Sequence, residues 1–447
     1  MRIKYISITV IILLISILAV NKLIEKKAYL YVEDFLSSSQ RVFIKKYLQP
    51  YKYISKQQKI INNHYNMEPN FKESNADILV GAMKEIDLSN NKTIKRYNLV
   101  NGFYLGMNKV FPGSGFIDFH DKNLLVLSSR GVLGYTSNLE DKLTFKQIRN
   151  NINQYINTDQ FLKNRSFSLK DLLISGEKIF VSYSEEIKDD CWNTSIIMGN
   201  MDYNNIEFKK LFSANECVHF FKNKDRAFHP HVAGGRIVAI DSDHVVLTTG
   251  PYRSRFLAQD KKSVNGKLIK INIDNSNYEI ISMGHRNPQG LYYDKDNNFL
   301  LETEHGPQGG DEINLIEINN INKDKIPNYG WPIASAGEHY GGKIPRNKKK
   351  YLKYPLYKSH SKHGFIEPLK SFVPSIGISE ITKLENNKYV VSSLKDRSLY
   401  FFELKDRQIV DLERVEVFER VRDIRFKDNR LYLFLEETPS IGIINLN

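Results

Sequence analysis

Residues 284–291 read GHRNPQGL, 299–304 FLLETE, 305–315 HGPQGGDEINL and 328–332 NYGWP. Asn287-Pro288-Gln289-Gly290 is turn chemistry: proline fixes one dihedral, glycine allows positive φ, and β-rich runs stand on both sides. The turn leaves Arg286 and Asn287 at a loop rim. His305-Gly306-Pro307 opens a second loop, where a missing side chain and a missing N–H suit close approach of a ligand to bare backbone carbonyls. Carbonyl oxygens are what Ca2+ prefers. Outward from this stretch, strand-like runs such as 245–249, 268–273 and 431–435 recur between turn signals, which predicts an all-β chain.

Further motifs accompany these: Gly234-Gly235-Arg236-Ile237 followed by 245–250, Val373-Pro374-Ser375-Ile376-Gly377, Ser392-Ser393-Leu394-Lys395 followed by Leu399, and Arg420-Val421-Arg422-Asp423. In this order and spacing they resemble the soluble aldose and glucose dehydrogenases that use pyrroloquinoline quinone (PQQ), the glucose/sorbosone dehydrogenase family. The resemblance runs over roughly residues 225 to 437. It implies a six-bladed β-propeller, expected over 96–447, an architecture that accommodates a long single domain. It also implies that segments near 116–127 and 431–446 are neighbours where the ring closes.

The resemblance implies a site as well. The quinone carries several carboxylates and needs fixed cations, which arginine's planar fork supplies. The matching positions are Arg286, Arg420 and Arg422 with Lys395, and Asn287 adds a neutral donor. A surface or loop ion pair is the alternative for each cation taken alone. Calcium in the family bridges quinone and backbone and acts as a Lewis acid. Its carried-over ligands are the carbonyls of Gly306 and Pro307, with a second calcium position at Glu312 and Tyr329, either of which could be purely structural.

A general base completes the expectation, and histidine, with an ordinary pKa of about 6.5, suits proton transfer near neutral pH. The family places it four residues before the arginine of the Gly-Arg strand, which here is Val232. His231 lies one residue early, in His229-Pro230-His231, and on a regular strand that slip turns the ring to the other face. A bulge or loop would restore it. Pro251 stands where the family has the aspartate that orients the base, and Ser166 falls near the family's cofactor-contacting glutamine.

The sequence is therefore read as a PQQ-dependent sugar (aldose) dehydrogenase with His231 as the catalytic residue of an altered base site. One alternative is a catalytically degenerate propeller acting as an envelope binding protein. A calcium-dependent lactonase-type hydrolase ranks below both, because such a site wants acidic and asparagine ligands and the matched residues are arginines. The implied partners are a small sugar and, with no c-type haem motif present, a separate electron acceptor.

Residues 5–20 carry no charge and follow Arg2 and Lys4, which predicts a signal-anchor or transmembrane segment over 1–21. The body would then lie outside the cytoplasm, periplasmic or at the cell surface; secretion after signal cleavage is the alternative. Val32, Leu36, Phe43 and Tyr47 recur at helical spacing until Pro50, so 22–95 reads as a juxtamembrane helix and linker. A net charge of +13 raises nucleic acid as a partner, but the lysines are scattered and no nucleic-acid motif accompanies them, so that class is set aside. The two cysteines, Cys191 and Cys217, read either as a disulfide, which an exported body permits, or as two reduced thiols.

Overall fold

The computed structural model describes residues 72–78, 80–99, 114–139, 143–225, 227–318, 326–340 and 351–446. The expected anchor over 1–21 and the helical part of the linker lie outside the described residues. Among the described residues no helix is long and apolar enough to cross a membrane.

Six sheets, each built around a four-stranded antiparallel meander, succeed one another along the chain. Their innermost strands are Gly115–His120, Leu169–Ser175, Gly234–Ala239, Pro288–Asp294, Ile378–Lys383 and Val421–Lys427. Each packs against the next, and the last packs against the first, so the six sheets form a closed ring, the six-bladed propeller.

The sequence explains the radial order of each blade. Second strands are covered by neighbouring blades on both faces and read as near-continuous apolar runs, NLLVLS at Asn123–Ser128 and RLYLFL at Arg430–Leu435. Outer strands such as Gln408–Glu416 meet solvent and are charged. The cores lie between blades: Ile117, Leu124 and Val126 of the first blade pack with Tyr432, Phe434 and Ile441 of the last, so the segments expected to be neighbours are.

Closure requires a correction to the expected boundaries. Ser440–Asn445 pairs antiparallel with Thr93–Asn98, which pairs in turn with Lys84–Asp87, so the propeller begins inside the stretch assigned to the linker. Thr93–Asn98 reads TIKRYN, a polar string, but Ile94 and Tyr97 are buried in two different inter-blade cores. Cys191 and Cys217 form a disulfide within the second blade region, 26 residues apart.

One irregularity repeats around the ring. In five of the six inner strands the register with the second strand shifts at the start of the strand. Leu169 and Asp171 face Tyr183 and Ser182, leaving Lys170 without an opposite number, and Gln289 and Arg422 are extra in the same way. Such bulges re-aim a side chain that the pleat would otherwise turn into a core.

Candidate functional site: an axial cavity

A cavity of about 430 Å³ opens at the end of the ring where the inner strands begin. The bulged residues Lys170, Gln289 and Arg422 line it, together with Phe116, Arg236 and residues just past the second strands, His305, Leu394 and Glu436. Every blade therefore contributes, because inner-strand starts and second-strand ends lie at the same end of an antiparallel pair.

Arg236 ties the wall together. It is buried and meets three carboxylates from three other inner strands: Asp171 at 2.8 Å, Glu380 at 2.9 Å and Asp423 at 3.2 Å. It also donates to the carbonyls of Gln289, at 2.6 Å, and Arg422, at 2.9 Å. Burial pushes the carboxyls up, Asp171 to about 6 and Glu380 to about 7, against the pull of Arg236. These groups are spent on one another and hold the blades in place.

Two expected cations stand in the wall. Arg420 Nε and Arg422 Nη2 share Glu436, at 2.7 and 2.9 Å, and Arg422 Nη1 donates to Gln289 Oε1 at 3.1 Å. Arg422 Nε is buried without a protein partner, as is His305 Nε2. Asn287 Nδ2 donates to His305 Nδ1 at 3.4 Å, which assigns the ring proton to Nε2 and makes it a second unpaired donor. Buried donors left unpaired are costly, about 1–3 kcal/mol each, so their place in a cavity wall points to a ligand that accepts from them.

The other expected cations are placed elsewhere. Arg286 lies beside the cavity, in a small adjoining pocket with Pro307 and Trp331. Its backbone N donates to Glu304 at 2.5 Å and its Nη1 to the His305 carbonyl at 2.6 Å, while the guanidinium stands 5.4 Å from the Trp331 ring centre. The last two contacts hold the side chain in the adjoining pocket, and it is not among the residues that line the cavity. Lys395 is exposed and donates to the Ser375 carbonyl at 3.1 Å, whereas its neighbour Leu394 lines the cavity.

Lys170 is a cation that the motifs did not single out. Its side chain passes over Gly235, where a Cβ would lie 2.3 Å from Lys170 Cβ, and its Nζ donates to the Ser166 carbonyl at 2.6 Å. Burial, then Arg422, lowers its pKa to about 7. Its sequence signal is a lysine between Leu169 and Asp171 at the head of an apolar run, a position a regular strand would give to packing. Ser166, where the family has glutamine, also lines the cavity.

His231 reaches the cavity from a loop, so strand alternation never applies to it; Val232 N donates to the His229 carbonyl at 3.0 Å across the turn. The rings of His229 and His231 meet edge to face with 3.4 Å between Nδ1 and Nε2. Arg253 donates to His229 Nε2. The arginine fixes that nitrogen as an acceptor, so His229 Nδ1–H donates to His231 Nε2. His229 and Arg253 thus hold the His231 ring by a contact on Nε2, whereas Pro251 offers it no side-chain hydrogen bond. His231 is exposed at the cavity mouth; desolvation, then Arg286 and Lys170, shift its pKa below the usual histidine value, so the imidazole is neutral at pH 7.

The expected calcium positions separate. Gly306 and Pro307 follow His305, and the Pro307 carbonyl accepts from Gly310 N at 3.2 Å. Glu312 lies 3.8 Å from His360, and burial followed by Glu304 holds its carboxyl well above the usual range. Tyr329 donates its hydroxyl to the Leu315 carbonyl at 2.6 Å and stacks its ring on His285.

The sequence profile of the Glucose / Sorbosone dehydrogenase family matches residues 168–443. The chain belongs to that family. This glucose/sorbosone dehydrogenase family chain is 26% identical over 286 residues to the aldose sugar dehydrogenase YliI of Escherichia coli, spanning 59% of the chain and 71% of the relative. It is 37% identical over 97 residues, 19% of each protein, to quinoprotein glucose dehydrogenase B of Acinetobacter calcoaceticus. Among solved structures, a glucose dehydrogenase shares the fold with a TM-score of 0.61 and 21% identity, over 82% of this chain and 99% of that one. The PQQ-bound aldose sugar dehydrogenase of Streptomyces coelicolor gives 0.55 and 18%, over 83% and 98%.

Proposed function

We propose that the protein oxidises an aldose hydroxyl with PQQ bound in the axial cavity. The carrying observation is the pair of unpartnered buried donors in the cavity wall, Arg422 Nε and His305 Nε2, beside the cations Lys170 and Arg420. That donor set suits a flat polycarboxylate, and about 430 Å³ lies within the range of roughly 300–1,000 Å³ common to small-molecule sites. Arg420, Arg422 and Lys170 would hold its carboxylates and Asn287, Gln289 and His305 its neutral oxygens. The Gly306 and Pro307 carbonyls, oxygen donors in the next loop, would hold Ca2+. When bound, the quinone supplies the hydride acceptor, so that the sugar carbinol becomes a carbonyl and the quinone a quinol once the hydroxyl proton is passed on. His231 Nε2, neutral and held by a long contact to His229, takes that proton when the hydroxyl displaces the contact. Electrons leave through a separate acceptor.

The disulfide supports a body outside the cytoplasm, since such bridges persist in oxidising compartments. The test is a spectral titration of the protein with PQQ in excess calcium, followed by aldoses. Binding with sugar-dependent bleaching is expected, and His231→Ala should keep the binding and lose the bleaching. Arg422→Gln should weaken PQQ binding by about 1.5–3 kcal/mol, the scale of a charged hydrogen bond. Absence of PQQ binding removes the reading. Binding that no aldose bleaches favours the second reading, a propeller that has lost catalysis, whose specific support is Pro251 in place of the orienting carboxylate.

A further inference from the structure

Behind the cavity wall, in the fourth blade, lies a second group of polar side chains that the proposed reaction does not use. Phe299–Glu304 pairs with Asp311–Glu317 so that Glu302 faces Asn314 and Glu304 faces Glu312. Two residues apart on one strand, Glu302 and Glu304 share a face of the sheet, and that face is covered by His285. His285 Nδ1 lies 3.7 Å from Glu302 Oε2 and 3.8 Å from Glu304 Oε1. His285 and Glu302 are 0% exposed and Glu304 is 2% exposed, so water does not screen the two carboxylates.

Among the described ion pairs neither glutamate meets a lysine or arginine side chain; histidine is the sole cationic candidate. Three polar atoms of the group are buried and have no partner: His285 Nδ1, Glu302 Oε1 and Asn314 Oδ1. Asn314 turns its Nδ2 toward the carboxylates, at 3.0 Å from Glu302 Oε2 and 3.4 Å from Glu304 Oε1, as an amide does when it faces two anions alone. Rotating that amide by half a turn would offer Oδ1 instead.

We infer that His285, Glu302 and Glu304, with Asn314 Oδ1, form a buried site for one divalent transition-metal cation. The chemistry of the donors selects the class. One imidazole nitrogen with carboxylate and amide oxygens suits Mn2+ or Zn2+, whereas Ca2+ takes oxygen donors. Donor separations of 3.7–3.8 Å come down to the roughly 3.4–3.6 Å edge of a tetrahedron of ligands about 2.1–2.2 Å from an ion once each donor moves by a few tenths of an ångström. A supporting partner is already in place: Ser282 Oγ lies 2.8 Å from His285 Nε2, which lets Nε2–H donate and leaves the Nδ1 lone pair facing the carboxylates. Its ligand atoms include none of Gly306, Pro307, Glu312 or Tyr329, although Glu312 faces Glu304 across the strand pair and Tyr329 stacks on His285.

The position gives the ion a structural task. Glu304 Oε2 accepts from the backbone N–H groups of Arg286, at 2.5 Å, and Asn287, at 3.2 Å. A metal on Oε1 therefore fixes, through one carboxylate, the loop that presents Asn287 to the cavity.

The full chain is produced in medium supplemented with Mn2+, so that the ion can be enclosed during folding, then purified in excess Ca2+, washed with chelator and assayed for metal. One equivalent of Mn2+ retained by the wild type, with nitrogen-14 coupling in its pulsed paramagnetic resonance spectrum, is the expected result. Glu302→Gln, nearly the same shape without the charge, should lower retention at least tenfold. His285→Gln should do the same and serves if the first variant does not fold. Retention below a tenth of an equivalent by the wild type, retention without nitrogen coupling, or equal retention by folded variants would overturn the inference and leave the two glutamates sharing a proton.

Discussion

Lys170 sets the charge of the cavity within the physiological pH range. Its pKa, lowered to about 7 by burial and by Arg422, means the amine is cationic below pH 7 and neutral above it. An anionic ligand binds the protonated form better, so affinity for PQQ should fall as pH rises from 6 to 9. Lys170→Gln should flatten that dependence, with an affinity near that of the wild type at high pH; a titration of dissociation constant against pH in both proteins checks it. The lysine was not legible as a site residue because its strand start looks like an ordinary apolar run; only the bulge opposite Tyr183 and Ser182 frees it to face the lumen. Arg286 shows the converse. Its motif marked the right loop, but the direction of its side chain depends on Trp331 and the His305 carbonyl, contacts that no local pattern encodes.

At the scale of elements, the inner strands depend on Arg236. Among the described ion pairs, Arg236→Met leaves Asp171 buried without a partner and Glu380 and Asp423 with Arg425 alone, and breaking such a cluster costs about 3–5 kcal/mol. Urea unfolding at pH 8 should show a loss of that size. The carboxyls of Asp171 and Glu380, already raised by burial, rise further without the arginine, so the folded variant takes up protons that its unfolded chain gives up. The deficit should therefore shrink as pH is lowered from 8 to 5; a constant deficit would count against the hub. The Gly-Arg motif identified this strand in advance, whereas the three acidic partners, spread over positions 171 to 423, are brought together only by closure of the ring. Thr93–Asn98 was hidden for another reason. Two buried residues among four polar ones resemble a linker unless the strand they pair with is known.

The whole ring is held by inter-blade cores and by the closing strand, while the disulfide ties a loop within the second blade. Replacing both Cys191 and Cys217 by serine should lower stability by about 2–4 kcal/mol, read as a lower urea midpoint under oxidising conditions. An unchanged midpoint would mean that the bridge constrains little in the unfolded chain. The closing strand has a consequence for how the protein is made. Roughly 340 residues separate Asn98 from its partner Ser440, and at ~5–20 residues per second a ribosome needs about 17–70 s to produce them. Throughout that time this early strand waits with one edge unpaired, and the last blade can be completed only once Ser440–Asn445 has been made.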